Sequence, residues 1–124
     1  MDLSKNILLG LCILMCSACP PRGILMTNEN SAQTTLTGIY AKFKGGEIQE
    51  CLLSGDTVYR ASINAYDVSQ EIYDMKGELI GTCNYAYNLV DSVCEQTHLC
   101  RVIYRGKDHI SGQPAVDEYG LETE

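Results

Sequence analysis

Tryptophan is absent from the 124 residues and phenylalanine occurs once. A core built on large hydrocarbon rings is therefore excluded, and eight tyrosines stand in their place. Tyrosine packs its ring while keeping a polar edge, which suits a thin, half-exposed sheet better than a deep core. Cations are also scarce: nine Lys and Arg against sixteen Asp and Glu give a formal charge of -7. That balance argues against a phosphate-backbone binder, which needs clustered Lys and Arg, so no nucleic-acid partner is expected. His98 and His109 are the only histidines. A catalytic nucleophile would need one of them beside a free Cys or a positioned Ser, with an orienting acid. No G-x-S-x-G element exists, Gly45-Gly46 lacks the Lys and Ser or Thr of a phosphate loop, and no EF-hand spacing is present. Asp67, Glu71 and Asp74 are read as solubilising residues rather than a glycosidase carboxylate pair. The chain is expected to be non-catalytic, with no cofactor.

The apolar run at the start, residues 7–15 (ILLGLCILM), is too short to span a bilayer, which takes about 20 apolar residues in a helix. Preceded by Lys5 and followed by Cys16-Ser17-Ala18-Cys19, it has the pattern of a secretory signal peptide covering residues 1–18. Ser17-Ala18-Cys19 resembles a bacterial lipobox, with Cys16 where that pattern usually has Leu. Cys19 is the expected lipidated residue. Cys16 follows the bulky Met15 and Cys12 follows Leu11, so both fit worse. The alternative is an ordinary signal peptide cut at the same bond, leaving a soluble periplasmic or secreted protein. A lipid on Cys19 makes the membrane the first partner, firmly so if two or three chains are attached. No Asp follows Cys19 and no acidic cluster stands near it. By likeness to lipoprotein sorting rules, the expected location is the outer membrane, on its periplasmic face.

Residues 19–36, with Pro20-Pro21 and the polar run TNENSAQTT, read as a flexible tether. A small β domain is expected over residues 37–108 and an extended tail over 109–124, which Ile110, Val116 and Tyr119 could pack back on the sheet. Within the domain, residues 38–43 read as a first or edge strand. Residues 47–53 are ambiguous between strand and helix, and their seven-residue length favours a strand ending at Ser54-Gly55-Asp56. Residues 57–64 alternate, with Tyr59, Ala61 and Ile63 on one face and Val58, Arg60, Ser62 and Asn64 on the other. A turn at 65–70, a strand at 71–75, a tight turn at Lys76-Gly77 and a return strand at 78–83 follow. Leu79, Gly81 and Cys83 are expected on one face of that strand and Ile80 on the other. Ser92-x-x-Glu95 has the form of a capping box opening a helical turn. Residues 100–105 make the last strand. The fold class is mainly β (α+β possible): a small antiparallel meander of four to five strands with a short helix. Hydrophobic burial alone is marginal for a core of this size.

Cys51, Cys83, Cys94 and Cys100 form an even set in an exported chain, which reads as two disulfides. Four cysteines allow three connectivities. Cys51–Cys83 with Cys94–Cys100 is preferred because the second pair closes a short loop. The rival is zinc held by Cys83, Cys94, His98 and Cys100, but Cys51, Cys83, Cys94 and Cys100 include no C-x-x-C clamp and an oxidising compartment favours disulfides. No metal is expected, nor a redox role resting on a C-x-x-C pair.

Tyrosine is favoured at interfaces. Asn84-Tyr85-Ala86-Tyr87-Asn88, directly after Cys83, is the candidate binding loop, with Asn84, Tyr85, Tyr87 and Asn88 as its contact residues. Against this stands the simpler assignment of the tyrosines to the sheet's edges. At Gly55-Asp56-Thr57-Val58-Tyr59 and at Ile72-Tyr73-Asp74-Met75-Lys76-Gly77-Glu78-Leu79-Ile80, followed by Cys83, the chain resembles small cysteine-containing envelope lipoproteins of Bacteroidota. Those families carry a G-x-x-V-Y strand and a Y-D-x-x-G-x-x-I hairpin near a Cys, and their function is largely uncharacterised. The resemblance implies fold and compartment and carries over no functional residue. The expected function is that of a non-catalytic lipoprotein binding a protein or envelope component. Alternatives are a secreted enzyme inhibitor presenting residues 84–93 and a small hydrolase built on His98 or His109.

Overall fold

The computed structural model describes residues 21–123, with side chains from Ser31 to Glu122. Cys12, Cys16, Cys19 and the signal segment lie outside the described residues. The chain divides into two units, residues 1–30 and Ser31–Glu124, and the architecture that follows is that of the second.

Helix α1 (Pro21–Phe43) opens the described chain, where a tether and then a strand were expected. Few residues in 27–35 favour a helix, so propensity does not explain it. Packing does. Leu36, Ile39, Tyr40 and Phe43 recur at helical spacing, and Leu36, Ile39 and Phe43 are buried. The helix stops at Lys44-Gly45-Gly46. Gly45 takes a left-handed φ of 84°, its N–H donates to the Tyr104 hydroxyl at 2.9 Å, and the Gly46 N–H donates to the Phe43 carbonyl at 2.8 Å. A Cβ on Gly46 would stand 2.0 Å from the Ser62 carbonyl oxygen, so only glycine fits there.

The sheet has seven antiparallel strands rather than four or five. They are β1 (Glu47–Leu53), β2 (Asp56–Ser62), β3 (Gln70–Tyr73), β4 (Leu79–Asn84), β5 (Leu89–Val90), β6 (His98–Arg105) and β7 (Val116–Asp117). Their spatial order is β5-β4-β3-β2-β1-β6-β7. The two added strands are two-residue edge pieces that lie in the expected loop and tail. Strand β1 has the bounds its sequence indicated. Ser54 and Gly55 both have positive φ, 51° and 85°, which makes a two-residue primed turn matched to strand twist. The 74–78 turn is closed by the Asp74 carboxylate, whose Oδ1 accepts from the N–H groups of Lys76 (2.9 Å) and Glu78 (3.0 Å).

Each face of the sheet has its own core. On one, α1 packs Leu36, Ile39 and Phe43 against Ile48, Tyr59, Ala61, Tyr73, Ile103 and Tyr104. The other gathers Cys51, Val58, Ile72, Cys83 and Cys94, with Leu53, Ile80, Val90 and Val93 beside them. Helix α2 (Ser92–Gln96) lies in the connection from β5 to β6 and contributes Val93 and Cys94 to this second core. Its cap differs from the expected box: Asp91, not Ser92, is the N-cap. The Asp91 carboxylate is used elsewhere, accepting from the Thr82 N–H at 2.8 Å.

Three bulges shift side chains from the simple alternation. Ile72 pairs with Gly81 and Tyr73 with Leu79, leaving Ile80 as the extra residue. Ile80 therefore joins the cysteine core while Leu79 is exposed, a correction to the alternation read from the sequence. Ile48 pairs with Tyr104 and Gln49 with Val102, so Ile103 is extra, and Ile103 and Tyr104 are both buried in the helix-side core. Glu50 pairs with Arg101 and Leu52 with His98, which sets Leu99 and Cys100 opposite Cys51. This last bulge decides the disulfides. They are Cys51–Cys100 and Cys83–Cys94, not the preferred Cys51–Cys83 with Cys94–Cys100. The β1–β6 pairing is long-range and overrides the advantage of a short local loop.

The C-terminal residues belong to the domain rather than forming an extended tail. Leu121, in a 3-10 turn (Leu121–Thr123), is buried in the helix-side core. The Asp117 carboxylate caps that turn, accepting from the N–H groups of Leu121 and Glu122 at 2.7 and 3.0 Å.

Candidate functional site

The β2–β3 loop (residues 63–69) and the β4–β5 loop (residues 85–88) lie side by side at one end of the sheet. Asn84 joins them: its Nδ2 donates to the Ser69 hydroxyl at 3.0 Å and its Oδ1 accepts from the Tyr87 N–H at 3.3 Å. Positive φ at Asp67 and Asn88, both 55°, bends each loop, a conformation that Asp and Asn tolerate better than most residues. Arg60, on the cysteine face of β2, braces the arrangement from below. One terminal nitrogen donates to the Thr97 hydroxyl (2.9 Å) and the Cys94 carbonyl (3.2 Å). The other donates to the Gln70 side-chain oxygen and to the Tyr85 hydroxyl, 3.4 Å away. A single guanidinium thus ties both loops to the Cys83–Cys94 corner.

Tyr66 on the first loop, Tyr85 and Tyr87 on the second and Leu89 on β5 are 78, 58, 71 and 68 % exposed. Between the loops is a shallow cleft of about 500 Å3 lined by Ala65, Asp67, Val68, Gln70, Tyr85 and Ala86. The expected contact residues separate by role. Tyr85, Tyr87 and Asn88 face solvent, while Asn84 is half-buried and its amide is used internally. The neighbouring loop adds Tyr66, which the sequence showed only as part of a turn. A second shallow cleft of about 550 Å3 lies at the opposite end, on the cysteine face, lined by Leu53, Val58, Met75, Lys76 and Ile80 among others.

The tyrosines fall into two populations. Tyr59, Tyr73 and Tyr104 are buried under α1, so their rings form a true core and not the half-exposed layer that composition suggested. Tyr40 sets its ring edge-on to Tyr104 at 5.1 Å. Lys42 lies 5.3 Å above the Tyr73 ring. Burial, then the nearby Glu50 charge, pushes the Tyr59 phenol up to about 12. Burial likewise raises Tyr104 to about 12, opposed by the Gly45 N–H and reinforced by Glu122. Tyr73 is raised by burial and by its hydrogen bond to Glu71.

His98 and His109 flank opposite ends of β6. His98 is exposed, with Nδ1 3.4 Å from the Gln96 carbonyl. His109 Nδ1 meets the Ser111 hydroxyl at 2.8 Å. That hydroxyl also accepts from the Gln113 N–H at 3.3 Å, as in a local turn. His109 Nε2 has no hydrogen-bond partner, so no carboxylate orients the ring through that nitrogen. Of the three acids weighed as a pair, Glu71 accepts from the Tyr73 hydroxyl and Asp74 closes its turn, while Asp67 stands at the other end of β3 from Asp74. The cysteines of the zinc set are all in disulfides. Among the described residues no group of three His, Cys, Asp or Glu is placed to hold a metal ion.

Comparison with protein-family models, curated proteins and solved structures finds no match to this chain. The disulfides belong to an oxidising, extracytoplasmic setting. Among the described residues, no helix is long and apolar enough to cross a membrane.

Proposed function

We propose that this chain is an exported, non-catalytic lipoprotein that binds a protein or another envelope component through the tyrosine surface at one end of its sheet. The observation that carries the reading is the exposure of Tyr66, Tyr85 and Tyr87 on adjoining loops, with Tyr85 braced by Arg60. Large apolar side chains gathered in solvent mark interaction surfaces when they cluster. Tyrosine covers contact area at low entropy cost and is enriched where proteins meet. Attachment is through a lipid on Cys19, at the start of the mature chain, holding the domain at the outer membrane on its periplasmic face. The soluble periplasmic or secreted form is the alternative product of the same cut.

The test uses full-length protein recovered from its native envelope, wild type beside Tyr85→Ala/Tyr87→Ala. The variant is expected to keep the wild-type circular dichroism, to lose no more than about 1 kcal/mol of stability with the Arg60–Tyr85 bond, and to lose the captured partner. Equal capture by both proteins would remove the site. Intact mass of the same samples reads acylation of Cys19 directly.

One observation favours a second reading. Cys83–Cys94, eleven residues apart, closes a loop around residues 84–93, and a covalently closed loop presenting Tyr85 and Tyr87 suits an enzyme inhibitor that binds as a preorganised plug. Inhibition across a panel of proteases and lysozymes, lost on Tyr87→Ala, would favour it over the envelope-binding reading.

A further inference from the structure

The two disulfides differ in how solvent reaches them. Cys83 and Cys94 are 0 and 2 % exposed, shut between β4 and α2. In the other bond only one end is enclosed: Cys51 is 1 % exposed, whereas Cys100 is on the surface. The bulge opposite Cys51 produces this asymmetry, with Leu99 at a left-handed φ of 51°. His98, Leu99, Cys100 and Arg101 form an exposed run. Strand β7 covers β6 only at Tyr104 and Arg105, so along 98–101 the outer edge of β6 has no strand partner among the described residues.

We propose that Cys100 Sγ is a thiol–disulfide exchange site, at which a dithiol reductant opens Cys51–Cys100 while Cys83–Cys94 stays closed. Exchange requires a thiolate to reach one sulfur of the bond, and access decides which sulfur is attacked. The reductant's thiolate attacks Cys100 Sγ and forms a new S–S bond to it. The bond to Cys51 breaks, its electron pair stays on Cys51 Sγ, and that sulfur takes up a proton. The reductant's second thiol gives up its proton and attacks the reductant's first sulfur, forming its internal S–S bond as the bond to Cys100 breaks. Cys100 is expelled as a thiolate and is protonated in turn. Two electrons pass: the domain gains two thiols and the reductant becomes a disulfide.

The sheet is built to outlast the step. Paired residues flank the bond on both sides, from Glu47 with Arg105 to Leu52 with His98. The Arg105–Glu47 ion pair at 2.8 Å holds the far end of the same two strands. Opening the bond leaves an exposed thiol on Cys100 and the Cys51 thiol in the cysteine core.

The test needs only the wild-type protein, without denaturant. The oxidised chain is treated with limiting dithiothreitol in one arm and with a Cys-x-x-Cys oxidoreductase in another, quenched with N-ethylmaleimide and mapped by mass spectrometry. Cys100 is expected to be alkylated at least tenfold faster than Cys83 and Cys94, and Cys51 to the same extent as Cys100 once the quenched chain is unfolded in N-ethylmaleimide. Reaction in the dithiothreitol arm alone assigns the reductant to small thiols, and reaction in both admits a protein. A third arm with glutathione should trap the mixed disulfide on Cys100. Equal or reversed rates for the two bonds, or glutathione on Cys51, would overturn the proposal.

Discussion

Ile39→Ala in α1 separates a packed helix from a tether. Ile39 is 3 % exposed and belongs to the helix-side core. The substitution removes three carbons beyond Cβ, worth about 2.4 kcal/mol at about 0.8 kcal/mol per buried methylene. The cavity left between α1 and the sheet adds to this, for a total of about 3–4 kcal/mol. For a domain this small that is a fall in melting temperature on the order of 12–32 °C. Thr37 is the control: it is exposed on the same helix, and its hydroxyl donates to the Gln33 carbonyl at 2.9 Å. Thr37→Ala should change stability by less than about 0.5 kcal/mol. Urea unfolding of the oxidised protein, followed by far-ultraviolet circular dichroism, gives both values. A loss below about 1 kcal/mol for Ile39→Ala would refute the packing of α1.

Gly81 meets the Val93 methyl: a Cβ there would lie 2.2 Å from Val93 Cγ2. Gly81→Ala should therefore cost about 1–3 kcal/mol, and adding Val93→Ala should recover part of the loss in a double-mutant cycle. Removing Cys83–Cys94 as a Ser pair should cost about 3 kcal/mol, and removing Cys51–Cys100 about 4 kcal/mol, since the second closes the longer loop; denaturant midpoints measure both. Alkaline stability follows from the buried tyrosines. Their values are raised in the folded state, so they keep their protons there after the unfolded chain has lost them. Stability is full below about pH 10 and falls above it, by about 1.4 kcal/mol per pH unit for each such group. Tyr59 and Tyr104, both at about 12, set the window at about pH 10–12, and Tyr73 acts with the same sign. A flat stability profile across that window would contradict their burial.

Much of the sheet can be read from local chemistry. Ser54-Gly55 and Lys76-Gly77 end strands because glycine takes positive φ, and the alternation of Val58, Tyr59, Arg60 and Ala61 sorts them correctly between the two cores. What stays hidden is set by contacts distant in sequence. Leu36, Ile39, Tyr40 and Phe43 have helical spacing, but the polar residues before them mask it until the sheet supplies a surface to cover. The bulges at Ile80 and at Leu99–Cys100 leave no mark in the sequence, yet the first re-aims Ile80 and the second selects the disulfide partner of Cys51. The four cysteines were legible as a set, while their pairing depends on which strands become neighbours. At the candidate surface, Tyr85 and Tyr87 were visible as an aromatic pair after Cys83. Tyr66 and the Arg60 brace become apparent only once β2–β3 and β4–β5 share one end of the sheet.

Site-specific photocrosslinking in the native envelope tests the binding surface most directly. A photoreactive phenylalanine analogue replaces Tyr66 or Tyr87 in turn, with Lys44 and Lys107 as exposed controls outside the two loops. One shared adduct is expected at positions 66 and 87 and none at 44 or 107. Adducts at the control positions of equal yield, or none at 66 and 87, would contradict it.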